Sequence, residues 1–530
     1  MAPVANAGVD TSIDERTPTT LAGSGTDADG TIASFAWVQT AGPTVTLADA
    51  GIADPAFDTP TVDQETMLVF ELTVTDDDGA TNSDTTTVTV NNADNSFAAP
   101  TIRSQLPIVP GFTIMTDILA MDLNGDQLQD LILASTGDEP TPFEGSAFQV
   151  LINDGDGTFT DESATFLPGL TSGPTNIDKL FPVDLNNDGL IDLLPGNALA
   201  PLVQQADGTF EALQGFLLDP GVITDFPVSN ASAPIDFDGD GDLDIVRIEI
   251  FNNFGVPGFV SFHDIRISEN LTGDDGVLAF APWGDVVVTN PPMGLSNSLF
   301  VTSIATMDVD EDGDMDFIYG GPTFDGDGNG FVDQRVPIYF MINNGDGTFT
   351  EAAATIFNGG APEFTHLREL AAGDVTGTGR SSVVVANHGF DAPPFPGQNN
   401  AILANLGGGM FVEDIGLADT HDYQGFTHSL TLGDVDNDGD LDIVYVDLGG
   451  NDVPLGSMNI RVLINDGTGA FQNSNLLLGP ELELETWTTS FLVDLNNDGF
   501  PELVLGAQDQ GSDNWVLWNS GNGSFELSAQ

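Results

Sequence analysis

The chain has 530 residues, 82 of them acidic against 9 basic, giving a formal net charge of -73, and it has no cysteine. A phosphate backbone or an anionic lipid surface requires a basic partner, so neither nucleic acid nor an anionic membrane surface is expected as a partner, and without thiols neither disulfides nor cysteine chemistry can support the fold. Hydrophobic residues make up 40% of the chain and fall in short runs such as LDIVYV and PELVLG between the acids, the pattern of packed β-rich domains and not of a solvated acidic coil.

The first module spans 1–94. Its segments TPTTLAGSG, ASFAWVQT, PTVTLADA, MLVFELTVTD and DTTTVTVNN alternate apolar with polar residues and are separated by Gly, Pro and Asp turns, which predicts an antiparallel β-sandwich. PVANAGVD, GTDADGTIASFAWVQTAGP with Trp37, and LTVTDDDGATNSDTTTVTV together resemble the PKD-type immunoglobulin-like domains. That resemblance implies a core position for Trp37, the same reading its place in an alternating strand gives. Asp10, Asp27, Asp29 and Asp76 are expected as turn formers, with an ion as the alternative. The opening MAPVANAGVD has neither a basic stretch nor an apolar run, so an export signal is expected outside it. Residues 95–111, polar and then Pro-rich, read as a linker.

From 112 to 530 the sequence repeats. An acidic loop of the form D-x-[DN]-x-D-G-x-x-[DE] opens at Asp122, Asp184, Asp236, Asp308, Asp374, Asp434 and Asp494. An N-x-G-x-G-x-F turn follows most copies: NDGDGTF from Asn153, the shortened ADGTF from Ala206, NNGDGTF from Asn343, NLGGGMF from Asn405, NDGTGAF from Asn465 and NSGNGSF from Asn519, with a stretched form between Asn270 and Phe280. A spacing of roughly 50 to 70 residues belongs to repeat arrays. Each unit runs strand, acidic loop, strand, insert, strand, glycine turn, the pattern of a four-stranded antiparallel blade. The paired motifs resemble the FG-GAP and VCBS-type repeats of integrin α-subunit propellers and of many bacterial secreted proteins. The resemblance implies an all-β chain: a seven-bladed β-propeller behind the immunoglobulin-like β-sandwich, with one calcium loop per blade between its first and second strands.

Calcium takes six to eight oxygens, and a tight loop can supply most of them. Side chains at loop positions one, three, five and nine are the expected ligands, with a carbonyl at seven and glycine at six for the turn. They are Asp122, Asn124, Asp126 and Asp130; Asp184, Asn186, Asp188 and Asp192; Asp236, Asp238, Asp240 and Asp244; Asp308, Asp310, Asp312 and Asp316; Asp434, Asp436, Asp438 and Asp442; and Asp494, Asn496, Asp498 and Glu502. In the first loop Gln127 replaces the glycine. The fifth, DVTGTGRSS, has Thr376, Thr378 and Ser382 at ligand positions and Arg380 within it, so no calcium is expected there and Arg380 is expected to pair with Asp374. An inserted loop in the fourth repeat, Asp325, Asp327, Asn329 and Asp333, carries the same spacing and an additional expected calcium. Zinc is disfavoured at these loops, which have no Cys or nearby His. Six filled sites would remove only about 12 charge units. A marine or halophilic setting, where salt screens self-repulsion, would account for the rest, with a simply acidic secreted protein as the alternative. Loops of this kind need the calcium levels found outside cells, so a secreted or cell-surface location is expected.

Function is then expected at the other end of the blades. Six residues before each loop stand Thr116, Asp178, Asn230, Thr302, Arg368, His428 and Thr488, with His366, Lys179, His421, Tyr423, Glu485 and Trp487 close by. A ring of polar groups with aromatic neighbours suits a sugar or a peptide side chain, so ligand contacts are expected from Asp178, Lys179, Arg368, His428 and Trp487. Strand-start Thr and His also serve simply as structural hydrogen-bonding residues. Other aromatic candidates are Trp283, Trp515 and Trp518. The leading expectation is a calcium-stabilised binding or adhesion module that recognises a glycan or an extracellular protein, without nucleic acid or membrane insertion and of open oligomeric state. An alternative is a polysaccharide lyase or hydrolase using His366, Arg368, Tyr423 and His428, although no nucleophile, catalytic zinc or cofactor motif is present. A purely structural segment of a larger adhesin is the third reading.

Overall fold

A computed structural model describes residues 1–14, 17–60, 66–91, 103–107, 114–136, 144–145, 148–169, 173–174, 179–196, 200–213, 231–251, 262–272, 278–281, 284–285, 287–289, 298–299, 301–321, 323–324, 335–358, 360–389, 397–413, 426–447, 460–474, 487–507, 514–519 and 525. Near the N-terminus Thr66–Asp76 lies between Thr81–Asn91 and Ile32–Ala41, antiparallel to both. Every second residue of its inner face, Leu68, Phe70, Leu72 and Val74, is fully buried, as a period of two requires of a half-covered sheet. Trp37 packs into this core. The edge strand Thr11–Asp14 pairs parallel with Thr81–Asn91, a departure from the all-antiparallel expectation. Asp76 accepts from the backbone N–H of Asp78 and Ala80, and Asp10 accepts from Thr87 N–H, so both hold turns and edges.

Among the described residues, seven sheets follow, one for each acidic loop, antiparallel throughout except in the fourth, where Val287–Thr289 adds a fifth strand parallel to Thr348–Glu351, a departure from the expected four-stranded antiparallel unit. Their first strands are Ile114–Met121, Leu180–Val183, Ala231–Ile235, Ser303–Met307, Leu367–Gly373, Thr427–Gly433 and Trp487–Val493. The second strands begin on the ninth loop residue, at Asp130, Asp192, Asp244, Asp316, Ser382, Asp442 and Glu502. Antiparallel pairing puts the acidic loop and the glycine turn at the same end of each sheet. Second strands such as Asp316–Gly320, Ser382–Asn387 and Asp442–Asp447 are buried along their whole length, because both faces are covered by neighbouring sheets. Phe340, Leu367 and Val385, from the fourth and fifth sheets, share one such core with Phe357, which follows the short helix Ala353–Ile356 between them.

The first strands contact one another in sequence order, and the seventh returns to the first. Named bonds tie most of these steps. Leu180 N–H donates to Asp117, Leu370 N–H to Ser303, Leu430 N–H to Glu369 and Ser490 N–H to Ser429. Thr488 closes the circuit, donating to the Met115 carbonyl at 2.6 Å. The seventh sheet takes its outer strand from far upstream. Arg103–Gln105, inside the segment read as a linker, pairs antiparallel with Trp515–Leu517. The Trp518 indole donates to Ser104 Oγ at 2.9 Å.

A second tie repeats at the loop end. The leading asparagine of the turn donates its side-chain amide to the carbonyl of the second loop residue of the preceding sheet: Asn153 to Leu495, Asn270 to Leu185, Asn343 to Phe237, Asn465 to Val375 and Asn519 to Val435. Gln204 occupies this place in the second sheet and instead accepts from Ile191 N–H. In the fifth, Asn405 bonds the Ser381 carbonyl of its own repeat. Truncating a cross-sheet amide leaves a buried carbonyl unpaired, so Asn465→Ala should cost about 1–3 kcal/mol and Asn405→Ala less, as read by denaturant or thermal melts of the two variants.

Candidate metal loops and the histidine cluster at the opposite end

The ninth loop residue is the hub of each acidic loop. Asp316 is fully buried. Its Oδ2 accepts from Val309 N–H and its Oδ1 from Asn343 N–H, both at 2.7 Å. Asp442 repeats this with Val435 and Asn465, Asp130 with Leu123 and Asn153, and Asp244 with Phe237 and Asn270. One carboxylate thus joins the acidic loop to the glycine turn, which is why the motifs travel together. The first loop residue accepts from backbone N–H groups further on, as Asp434 does from Asp438 and Gly439. Position four as well as position six lies in left-handed backbone: Asn187, Glu311, Asn437 and Asn497 have φ of 57°, 65°, 57° and 55°. Gln127, at position six of the first loop, has φ 72°, so it adopts the strained conformation in place of the usual glycine.

Three loops bring carboxylate oxygens together within 4.8 Å: Asp236, Asp238 and Asp244; Asp308, Asp310 and Asp316; and Asp434, Asp436 and Asp442. These clusters could hold a metal ion. Asp310 Oδ1 and Asp436 Oδ1 are buried without a hydrogen-bond partner, and hard oxygen donors in a tight loop fit calcium. In the other three acidic loops position three is an amide that bonds its neighbour, Asn124 to Asp126 at 2.9 Å, Asn186 to Asp188 at 3.0 Å and Asn496 to Asp498 at 3.0 Å. Position five, Asp240, Asp312 and Asp438 in the carboxylate loops, accepts from the N–H of residue seven. The fifth loop is held by backbone bonds to Asp374, and Asn405 N–H meets Ser382 Oγ where the others have a carboxylate. Arg380 does not pair with Asp374 as expected. It reaches Glu311 in the preceding loop at 2.8 Å, because the left-handed turn at Glu311 directs that acid toward the neighbouring sheet. The inserted loop, Asp325, Asp327, Asn329 and Asp333, lies outside the described residues.

Burial raises the ninth-position acids, to about 6 for Asp130, Asp192 and Asp244, about 7 for Asp316 and Asp442 and about 9 for Glu502. A folded-state value above the unfolded one means that stability is fully present below the unfolded pKa and is lost as pH rises through the folded pKa. In chelator, the melting temperature should therefore rise on acidification from about pH 8 to about pH 5. Calcium should flatten that slope by occupying the ionised form. Thermal melts across pH with and without calcium check both.

At the other end of the sheets the sequence-predicted residues separate into different roles. Thr302 donates to the Leu367 carbonyl at 2.5 Å, and Thr488 ties the seventh strand to the first. Lys179 pairs with Glu369 at 2.5 Å and stands 3.7 Å from Asp117, linking the second, fifth and first sheets. Burial raises the Asp117 pKa, opposed by Lys179. Trp487, expected at a solvent-facing mouth, is instead fully buried in the core between the sixth and seventh sheets, since its side of the strand faces the neighbouring sheet. Trp518 is buried also, and Trp515 packs on the Trp487 core. Asp178, Asn230, His421, Tyr423, Glu485 and Trp283 lie outside the described residues.

His366 and His428 do come together, through a residue that the motif spacing does not single out. The His388 ring centre lies 4.7 Å from that of His366 and 4.6 Å from that of His428. His388 follows the second strand of the fifth sheet, whose last residue Asn387 pairs with Leu367. Antiparallel register therefore carries it back beside His366, and the strand periodicity was the available signal. Burial lowers the His366 pKa to about 3, with Arg368 adding to the effect. Burial also lowers His388 and His428 well below the usual range, and Arg368 adds again. All three imidazoles are neutral at ordinary pH.

Two family models match the chain: a PKD domain over residues 7–90 and an FG-GAP-like repeat over 122–194 and 308–385. Both fit an extracellular protein of adhesion type. The chain is nearly all β, and no helix among the described residues is long and apolar enough to cross a membrane. No curated protein matches significantly. Among solved structures, the PKD domain of the KIAA 1837 protein is 31% identical, covering 16% of this chain and 84% of its own, with a TM-score of 0.15. A nucleoside hydrolase-related protein from Saccharophagus degradans, associated with carbohydrate metabolism, is 15% identical over 17% of this chain and 26% of its own, with a TM-score of 0.16. A tetra-tandem repeat from the extending region of a large adhesion protein is 13% identical, covering 97% of this chain and all of its own, with a TM-score of 0.10.

Proposed function

We propose that the seven repeat sheets close into a β-propeller bearing calcium in six loops on one face, and that the chain is a secreted or cell-surface binding module. The observation carrying this reading is the circuit of first strands that returns from Thr488 to Met115, with loops and glycine turns gathered at one end of every sheet. In this reading the unit at 112–530, closed by Arg103–Gln105, presents its loop-free end to a glycan or an extracellular protein, and the PKD-like unit at 1–94 acts as spacer. The inserted loop at Asp325–Asp333 would take a seventh ion.

Calcium here is a staple. Converging carboxylates repel one another until a cation joins them, and an ion bound only by the folded form adds stability by mass action. A chelator should lower the melting temperature well below that in calcium, reversibly on adding calcium back; an unmoved melt would remove the calcium scaffold from this reading. At the opposite face Arg368 offers a cation to an acidic sugar or a carboxylate side chain. Glycan-array binding should fall on Arg368→Ala without loss of the calcium-dependent melt, and unchanged binding would exclude this site.

The clustering of His366, His388, His428 and Arg368 favours a second reading, a uronate-directed polysaccharide lyase, in which Arg368 would neutralise the uronate and a neutral imidazole would take the proton. Ultraviolet absorbance of an unsaturated product from alginate, pectin or ulvan would support it, and silence across all three would exclude these substrates.

A further inference from the structure

Every acidic loop has its fourth residue in left-handed backbone, but only four loops place a side chain there. They are Asn187, Glu311, Asn437 and Asn497, of the second, fourth, sixth and seventh loops, whereas Gly125, Gly239 and Gly377 fill the position in the first, third and fifth. Those side chains reach out of their own loops. The Asn187 amide donates to Asp242, residue seven of the third loop. Glu311 accepts from Arg380, residue seven of the fifth, at 2.8 Å. The Asn497 amide donates to the carbonyl of Gln127, residue six of the first, at 2.9 Å. The Asn437 amide nitrogen stands 3.2 Å from the point where a Cβ on Gly499, residue six of the seventh, would lie. Each contact therefore runs from one loop to residue six or seven of the loop that follows it around the circuit. The ties sort the loops into three sets: the second with the third, the fourth with the fifth, and the sixth with the seventh and first. Each set contains one of the three loops whose carboxylate oxygens gather within 4.8 Å. Its companions have an amide at position three or, in the fifth, no acid beyond Asp374.

We propose that the fourth-position side chains are positioning residues that couple calcium loading within each set, the three-carboxylate loop filling first and raising the affinity of the loops tied to it. The inference rests on the calcium reading above. Affinity for calcium follows ligand charge and site rigidity, which ranks the three-carboxylate loop of each set ahead of its companions. Position four lies between ligand positions three and five, while residues six and seven supply the turn and the carbonyl ligand. An ion in either loop thus fixes the backbone at one end of the contact and, through it, the segment at the other end. The second ion then meets a segment already ordered, and the coupling is reciprocal. The fifth loop has too few acids for an ion, and Arg380 supplies a fixed cation to Glu311 in its place, so the fourth loop loads alone.

Calcium titration of the full chain against a competing chromophoric chelator tests this, with melts in saturating calcium to establish that each variant is folded. Asp238→Thr with Asp240→Thr gives the third loop the residues that the fifth has at positions three and five, a combination around which the fifth sheet forms. It should remove one tight ion and weaken one further ion, that of the second loop, at least about fivefold. In an Asn187→Gly background, which keeps the left-handed backbone but removes the tie, the same third-loop change should cost one ion only. Asp310→Thr with Asp312→Thr in the fourth loop should likewise remove one ion and leave the others unmoved. A third-loop variant that loses one ion while the rest keep their affinity would overturn the proposal with the calcium reading intact. So would a second loss that persists in the Asn187→Gly background. An unaltered chain that binds no calcium would overturn the calcium reading and the coupling together. Should the third-loop variant not fold, Asn124→Thr with Asp126→Thr in the first loop, with and without Asn497→Gly, decides through the ion of the seventh.

Discussion

One buried carboxylate in each of six of the seven repeats organises this molecule. The ninth loop acid, Asp316 in the fourth repeat, is removed from water and accepts backbone hydrogen bonds from the loop through Val309 and from the glycine turn through Asn343. Burying an ionised group without partners would be prohibitive. The position therefore holds only while loop, second strand and turn are all in place, which couples three pieces of chain that would otherwise fold separately. In five repeats the leading asparagine of the turn then extends the tie to the preceding sheet through its side-chain amide.

The two ends of the sheets have opposite chemistry for this reason. At the loop end, left-handed backbone at positions four and six folds carboxylates toward one point and leaves Asp310 and Asp436 oxygens unpaired, a surplus of negative charge that a hard cation would relieve. At the other end the strands begin with groups whose bonding is mostly internal. Thr302, Thr488 and Asp117 bond adjacent first strands, and Lys179 links three sheets. What remains there is the neutral, desolvated imidazole cluster beside Arg368. The degenerate fifth repeat joins both ends: its loop keeps Asp374 but has Thr376, Thr378 and Ser382 at the other ligand positions and Arg380 within it, while Arg368 on its first strand and His366 and His388 flanking its first two strands lie at the opposite end.

Much of this was legible in the chain. The acidic loops recur with fixed spacing because the loop geometry is local, so ligand positions such as Asp434, Asp436 and Asp442 could be named from the motif, and the apolar alternation around Trp37 marked its core. Glu311 and Asn437 at φ > 0 were less visible, since glycine at position four is shared by only some repeats. Sequence proximity points Arg380 to Asp374, whereas its partner Glu311 sits in the loop of another sheet. The distance of Trp487 from the loop locates its height along the strand but not which side faces the neighbouring sheet, and so points to the mouth and not to the core it occupies.

By itself, then, the sequence determined the β-rich class, the repeat units, the acidic loops and the strongly negative net charge, because each follows from local periodicity, turn geometry or composition. Only the tertiary structure decided that Arg103–Gln105 completes the seventh sheet, that Lys179 pairs with Glu369, and that His388 stands between His366 and His428. Those contacts join residues tens to hundreds of positions apart, and pairing across sheets depends on register and on which face each strand turns toward its neighbour.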